Sequence, residues 1–258
     1  MSAIMGFLAP EKTKLLFVAQ WLIFSALFLA IYGNREFLVI ANLIIVLAFL
    51  YLSGCAFVAA IRRMREDHIR LVRLSLFALG LVGLDHALKA YAYTQLRLGE
   101  SVTIVPCVLT YRHGENPVGS WLLATYGRGS LVNTGSFVAV LAVLAAMPAI
   151  YRFYLYRHRR FRWPAVTYVC LTAGFMSFLV DVVVRGVVVD YVGVVGVTTA
   201  DLKDTLLLFG IAAFAAEAVE NPAISLRWSG WRGEFREIRE LLGSFIHFVS
   251  TGLFGARR

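Results

Sequence analysis

Nine ionisable side chains lie inside or beside long apolar stretches of this chain: Asp85, Lys89, Asp181, Arg185, Asp190, Asp201, Asp204, Glu217 and Glu220. Charges so placed are costly in a bilayer and generally have a partner or a reaction to serve. Asp85 and Lys89 are four residues apart, so on a helix they share a face and can pair. Asp181 and Arg185 repeat that spacing, and both pairs read first as internal salt bridges that hold helices in register. Asp190 and Asp201 are different. Asp190 sits in the apolar run Val187-Val188-Val189-Asp190-Tyr191 with no base beside it, and a short, apolar, glycine-containing loop separates it from Asp201. Two carboxylates that converge in a low-dielectric site cannot both ionise easily, and they share a proton. One can then deprotonate a water while the other donates to a scissile carbonyl oxygen. That is aspartyl protease chemistry. The plainer reading of Asp201 and Asp204, with Thr198 and Thr199 ahead of them, is an ordinary helix N-cap. Spacing alone leaves both readings open.

The elements that must position these groups are membrane helices. Of 258 residues 59% are hydrophobic and only 16% charged, and the mean hydropathy is +0.73. The apolar residues form long uncharged runs, and a run of about 20 spans the hydrocarbon core as a helix. Six spans are expected, at roughly 15–32, 37–61, 74–93, 131–150, 165–184 and 202–216, the first two joined by the turn Gly33-Asn34-Arg35-Glu36. The first is too long for a signal-peptide core and no small-residue cleavage site follows it, so it is expected to be retained. Arg62, Arg63, Arg65, Arg70 and Arg73 precede the third span, and Arg152, Arg157, Arg159, Arg160 and Arg162 precede the fifth. Both clusters belong in the cytoplasm, which puts both termini there and the Asp190–Asp201 segment outside. The same clusters account for the net charge of +9 without nucleic acid. Outside, Ser101–Val105 and Val108–Arg112 are rich in β-branched residues and broken by Pro106, the pattern of a small hairpin or cradle. Near the C-terminus Phe235, Ile238, Leu241, Leu242, Phe245 and Phe248 fall on one helical face, with Arg236, Glu237, Arg239 and Glu240 on the other and Trp228 and Trp231 just before. This predicts an interfacial amphipathic helix. Cys55, Cys107 and Cys170 are far apart and form no metal or redox motif.

Several motifs carry a resemblance. Leu84-Asp85-His86-Ala87-Leu88-Lys89 resembles L-D-x-x-x-K, and Leu98-Gly99-Glu100-Ser101, Ile104-Val105-Pro106 and Leu109-Thr110-Tyr111 resemble L-G-E-S…I-P…L-T-Y. Asn116-Pro117-Val118-Gly119-Ser120-Trp121 is similar to N-x-G-x-[AS]-[FW]. Leu179-Val180-Asp181 with Arg185-Gly186-Val187-Val188-Val189-Asp190-Tyr191 resembles N-L-I-D-R…R-G-x-V-V-D-F, and Thr199-Ala200-Asp201 the end of F-N-x-A-D. In this order they resemble the lipoprotein signal peptidases (signal peptidase II) over about residues 70–220. The resemblance implies that Asp190 and Asp201 are the catalytic pair, that Asn116, Asp181 and Arg185 shape the site, and that Asp85 and Lys89 support the fold and substrate cleft. It implies an intramembrane aspartic endopeptidase of the bacterial inner membrane that uses neither metal nor organic cofactor. Its substrates would be diacylglyceryl-modified prolipoproteins, and globomycin-type cyclic peptides would inhibit it.

This sequence departs from the family pattern at several points. Phe178 stands for the Asn before Asp181, Val182 for the Arg after it, Val197-Thr198 for Phe-Asn, and Val118 for a glycine; the loop between the aspartates is also short. The lost polar groups support a rival reading, a catalytically silent paralogue that binds lipoproteins or assists another membrane enzyme. A proton-relay transporter is the weaker rival, because no pair of broken helices appears in two halves. The expected organisation is an additional N-terminal hairpin and basic loop over 1–69, a family-like core over 70–220, and an amphipathic tail over 221–258. The fold class is an all-α polytopic membrane protein with a small external β-cradle.

Overall fold

The computed structural model describes residues 11–32, 37–63, 70–116, 134–222, 224 and 231–252. In chain order the elements are α1 (Lys12–Tyr32), α2 (Phe37–Arg63), α3 (Leu71–Gln95), β1 (Ser101–Val105), β2 (Leu109–Asn116), α4 (Thr134–His158), α5 (Arg162–Arg185), β3 (Val188–Val194), β4 (Thr198–Ala200), α6 (Leu202–Glu220) and α7 (Trp231–Gly252). The tight turn at 33–36, part of the first basic loop, Pro117–Trp121 of the Asn116 motif, the start of the fourth expected span, and Trp228 lie outside the described residues.

Four helices, α2, α3, α4 (from Phe137) and α5, are long and apolar enough to cross a membrane. The chain is a helical membrane protein with a small sheet. The two other expected spans are helices of 21 and 19 residues, α1 and α6. In α6 the charges Lys203, Asp204, Glu217 and Glu220 sit in the terminal turns, which leaves an apolar middle. Half of the apolar window of α5 is buried, against 17–22% in the other three. It is therefore the centre of the bundle, packed on α3, α4 and α6, and the others turn an apolar face such as Leu76, Phe77 or Phe49 outward. The α5–α6 contact is close because it is built on glycine. A Cβ on Gly174 would lie 2.7 Å from Leu207 Cδ2, and one on Gly210 would lie 2.6 Å from Leu171 Cδ2. Small residues of this kind let membrane helices approach and pack by dispersion.

The helix ends aim the chemistry. Gly186 closes α5 in a left-handed conformation (φ 70°), its N–H donating to Val182 O, and turns the chain into β3. Asp201 opens α6 as its N-cap, with Asp204 completing a reciprocal capping box. Between them the sequence predicted a loop; the structure has a β-hairpin instead. The β-branched run Val187–Val189 continues into β3, which pairs antiparallel with β2, the environment such side chains favour. The result is one antiparallel sheet in the order β1-β2-β3-β4.

The N-terminal pair of helices packs against α6 at the end away from the sheet and reaches the sheet at the other. Phe17 packs edge-on against Phe57 and Phe209, and Thr13 Oγ1 donates to Glu220 Oε1 at 2.8 Å. At the sheet, the buried Asn42 of α2 donates from Nδ2 to Cys107 O (2.8 Å) and Val195 O (2.9 Å), the tips of both hairpins. Val39 and Leu43 pack beside it on Val197. Asn42→Leu should cost about 1–3 kcal/mol by leaving two carbonyls unpaired. A lower melting temperature with faster hydrogen exchange confined to the two hairpin tips would be the expected pattern.

The amphipathic segment is the helix α7, with Ile238, Leu241, Leu242 and Ile246 exposed. Its Phe245 and Phe248 rings pack on Phe153 of α4, at centroid distances of 5.4 and 5.5 Å.

Candidate active site

Five aspartates and three cations converge where α3, α5 and α6 meet the sheet. Lys89 is fully buried, and its ammonium lies 2.6 Å from Asp85 Oδ2, 2.5 Å from Asp181 Oδ2 and 2.7 Å from Asp201 Oδ2. The contact with Asp181 is a hydrogen bond as well as an ion pair, and those with Asp85 and Asp201 are ion pairs. Asp85 also accepts from Ser177 Oγ and from Tyr191 OH, the latter at 3.1 Å, and Tyr191 OH in turn accepts from Leu202 N. Asp181 also pairs with Arg185 at 2.9 Å, whose guanidinium lies 3.0 Å from His86 Nδ1. Both four-residue spacings thus form ion pairs, and Lys89 ties them across two helices into one network.

Asp190 and Asp201 meet at a residue the sequence reading passed over. Lys203, 3% exposed, places its ammonium 2.8 Å from Asp201 Oδ2, 3.1 Å from Asp204 Oδ1 and 3.9 Å from Asp190 Oδ1. Asp201 is thereby the hub, with Oδ2 between two ammonium groups and Oδ1 accepting from Asp204 N at 3.0 Å. Asp190, on β3 opposite Gly114, accepts from Thr199 Oγ1 at 3.1 Å. Burial holds the Asp190 carboxyl above the usual carboxylate range, and Asp201 pushes the same way; Lys203, Thr199 and Asn116 pull it back down. Asn116 closes β2 opposite Val188, one strand across from Asp190. Both carboxylates are buried but their surroundings differ: Asp201 touches two ammonium groups, while Asp190 has the Thr199 hydroxyl and one more distant ammonium.

The model of the family described as signal peptidase (SPase) II matches residues 77–220. The chain belongs to the signal peptidase II family. It is thus a membrane-embedded member of a peptidase family, and the matched stretch contains the whole aspartate–lysine network. Two solved structures are similar to it at 16% identity, each described as a bacterial membrane enzyme determined by the in meso method, at 2.3 and 1.9 Å resolution. The first covers 65% of this chain and 100% of its own, with a TM-score of 0.49; the second covers 61% and 99%, with 0.48. A search of the curated proteins finds no match.

The sequence gives Ser177, Tyr191 and Lys203 no role in the site, and Thr199 only one in a helix N-cap. Only Lys203 carried a signal there, a cation two residues beyond Asp201 at the start of an apolar run. The others are common residue types whose role depends on which helix or strand faces them.

Proposed function

We propose that the protein is an intramembrane aspartic endopeptidase that removes signal peptides from diacylglyceryl-modified prolipoproteins, with Asp190 and Asp201 as its catalytic pair. The observation that carries this is the meeting of two carboxylates from different elements around one ammonium, 2.8 and 3.9 Å away. Asp201, paired with two lysines, takes a proton from the attacking water. Asp190, whose burial favours the protonated form, donates to the scissile carbonyl oxygen, and the tetrahedral species then collapses with proton return to the leaving amine. Asn116, Asp181 and Arg185 shape this site, while Asp85 and Lys89 hold α3 against it. The arginine clusters support a site at the external face of the bacterial inner membrane with both termini in the cytoplasm. Residues 1–69 form an addition to a core over 70–220, with 221–258 as an interfacial tail. Globomycin-type cyclic peptides should compete for the same cleft. The test is cleavage of a diacylglyceryl prolipoprotein by the purified wild type beside Asp190→Asn and Asp201→Asn. Cleavage lost in both folded variants supports the proposal, and an inert wild type on a substrate that another family member cuts refutes it.

Lys203 favours a second reading, a silent paralogue that binds lipoproteins, because a buried ammonium beside both carboxylates opposes the sharing of one proton between them. The two readings part on cleavage by the wild type, and the pH profile then tests what Lys203 does in an active enzyme. In the enzyme, Lys203→Met removes a cation that lowers the Asp190 pKa, so Asp190 stays protonated to higher pH. The alkaline limb of kcat/KM should then move up by about one pH unit or more. Lys203→Arg should leave it in place. An unmoved limb in Lys203→Met would show that Lys203 does not act on the catalytic acid.

A further inference from the structure

A groove of about 400 Å³ crosses the sheet beside the aspartates, lined by Ser101, Thr110, Arg112, Thr198, Thr199 and the β3–β4 turn. Thr199 belongs both to this groove and to the site, since its hydroxyl donates to Asp190. Arg112 is the charged residue among those that line it, and its place there is set by a β-bulge. Tyr111 pairs with Val192 and Gly114 with Asp190, so Arg112 and His113 together oppose the single residue Tyr191. Bulges of this kind re-aim a side chain next to functional sites.

The bulge lays Arg112 across two glycines. A Cβ on Gly193 would lie 3.2 Å from Arg112 Cδ and 2.4 Å from Thr110 Oγ1. A Cβ on Gly114, the strand partner of Asp190, would lie 3.5 Å from Arg112 Nε. The side chain therefore runs from Gly193 toward Gly114, and its buried Nε has no hydrogen-bond partner among the described residues. A buried donor is ordinarily paired with an acceptor. A guanidinium satisfies itself best with a planar two-oxygen acceptor.

We infer that this groove is a subsite for the extended part of the substrate outside the membrane, and that Arg112 selects a carboxylate side chain there. This rests on the proposal that a lipopeptide reaches Asp190 and Asp201. The groove sets the hydroxyls of Ser101, Thr110, Thr198 and Thr199 and one guanidinium beside Val194, Val195 and Val197, a mixed lining that suits an extended peptide better than an acyl chain. Among peptides it favours acidic ones.

The test uses full-length protein in detergent micelles and fluorescent diacylglyceryl lipopeptides with Asp or Asn in the few positions after the modified cysteine. Binding and cleavage are read in the same samples. Wild type should bind the Asp peptides about tenfold more tightly than the Asn peptides, as expected for one charge-assisted contact. Rising salt should narrow that gap. Arg112→Gln should bind both alike, and Arg112→Lys should keep part of the preference; equal melting temperatures would show that both variants fold. Cleavage with no Asp preference in the wild type, or a preference that survives Arg112→Gln, overturns the inference and leaves the peptidase standing. An Arg112-dependent preference without cleavage overturns the peptidase and leaves the subsite. Failure to bind any lipopeptide overturns the inference as well. Arg112-dependent retention of phosphatidylglycerol without an Asp preference would replace it with a headgroup site.

Discussion

Asp190→Asn and Asp201→Asn are each expected to lower cleavage by about 100- to 10,000-fold while moving thermal stability in opposite directions. Both remove a carboxylate that would handle a proton in the reaction, so the kinetic losses should be similar in size. Their structural roles differ. Asp190 is buried, and its pKa is raised above the ordinary 3.8, chiefly by burial. The folded state therefore holds that proton more tightly than the unfolded chain does. The contribution of Asp190 to stability falls as pH rises from the ordinary value through the raised one. Asn carries no such cost, so Asp190→Asn should match or exceed the wild-type melting temperature at neutral pH. That advantage should shrink below about pH 4. Asp201→Asn keeps the cap, since an amide oxygen can still accept from Asp204 N. It loses the ion pairs to Lys89 and Lys203 and should cost about 1–3 kcal/mol. Thermal unfolding in micelles across pH 3–8, beside the cleavage assay, checks both (the pH range is chosen to span roughly the carboxylate values). A destabilised Asp190→Asn would mean that its carboxylate is needed for the fold, and the assignment of a proton-carrying role would fall with it.

How far the sequence reaches follows from what each feature depends on. Helix positions were legible because apolar runs of bilayer length need only composition to be recognised. The pairs Asp85–Lys89 and Asp181–Arg185 were legible because a helix brings residues four apart together whatever surrounds it. Their union through Lys89, 2.5 Å from Asp181 on another helix, was not legible, because it depends on how α3 is rotated against α5. Lys203 was hidden for a different reason. A lysine in the first turn of a helix usually snorkels to water, and only the three carboxylates of Asp190, Asp201 and Asp204 around its ammonium make this one an internal cation. The β3–β4 hairpin read as a loop because Gly193 and Gly196 suggest a turn, while the partner strand that stabilises β3 lies some eighty residues earlier in the sequence. Asn42 gave no signal in a span that otherwise reads as lipid-facing. Its use became visible only where α2 met the hairpin tips. The motif resemblance supplied what local chemistry lacked, the pairing of Asp190 with Asp201.

The larger stability effect belongs to Lys89, not to either aspartate. Lys89→Met preserves most of the side-chain volume and removes only the ammonium, leaving Asp85, Asp181 and Asp201 around an apolar thioether. Removing one partner of a buried ion pair costs about 3–5 kcal/mol, because the remaining charge is left uncompensated. Three carboxylates lose a partner here, but none is left bare. Asp181 keeps Arg185, Asp201 keeps Lys203, and Asp85 keeps the hydroxyls of Ser177 and Tyr191. Asp85 is therefore the most exposed to the loss, having no second cation. The expected result is a cost of about 3–5 kcal/mol, read as lower yield and earlier unfolding. Adding Asp85→Asn to Lys89→Met should restore part of that stability, since it removes the charge left with hydroxyl partners alone. The two substitutions should couple by about 0.5–3 kcal/mol. Simple additivity would mean that Lys89 is held by Asp181 and Asp201 alone. In that case α3 would be anchored to the elements that carry Asp181 and Asp201 with no contribution from its own four-residue pair.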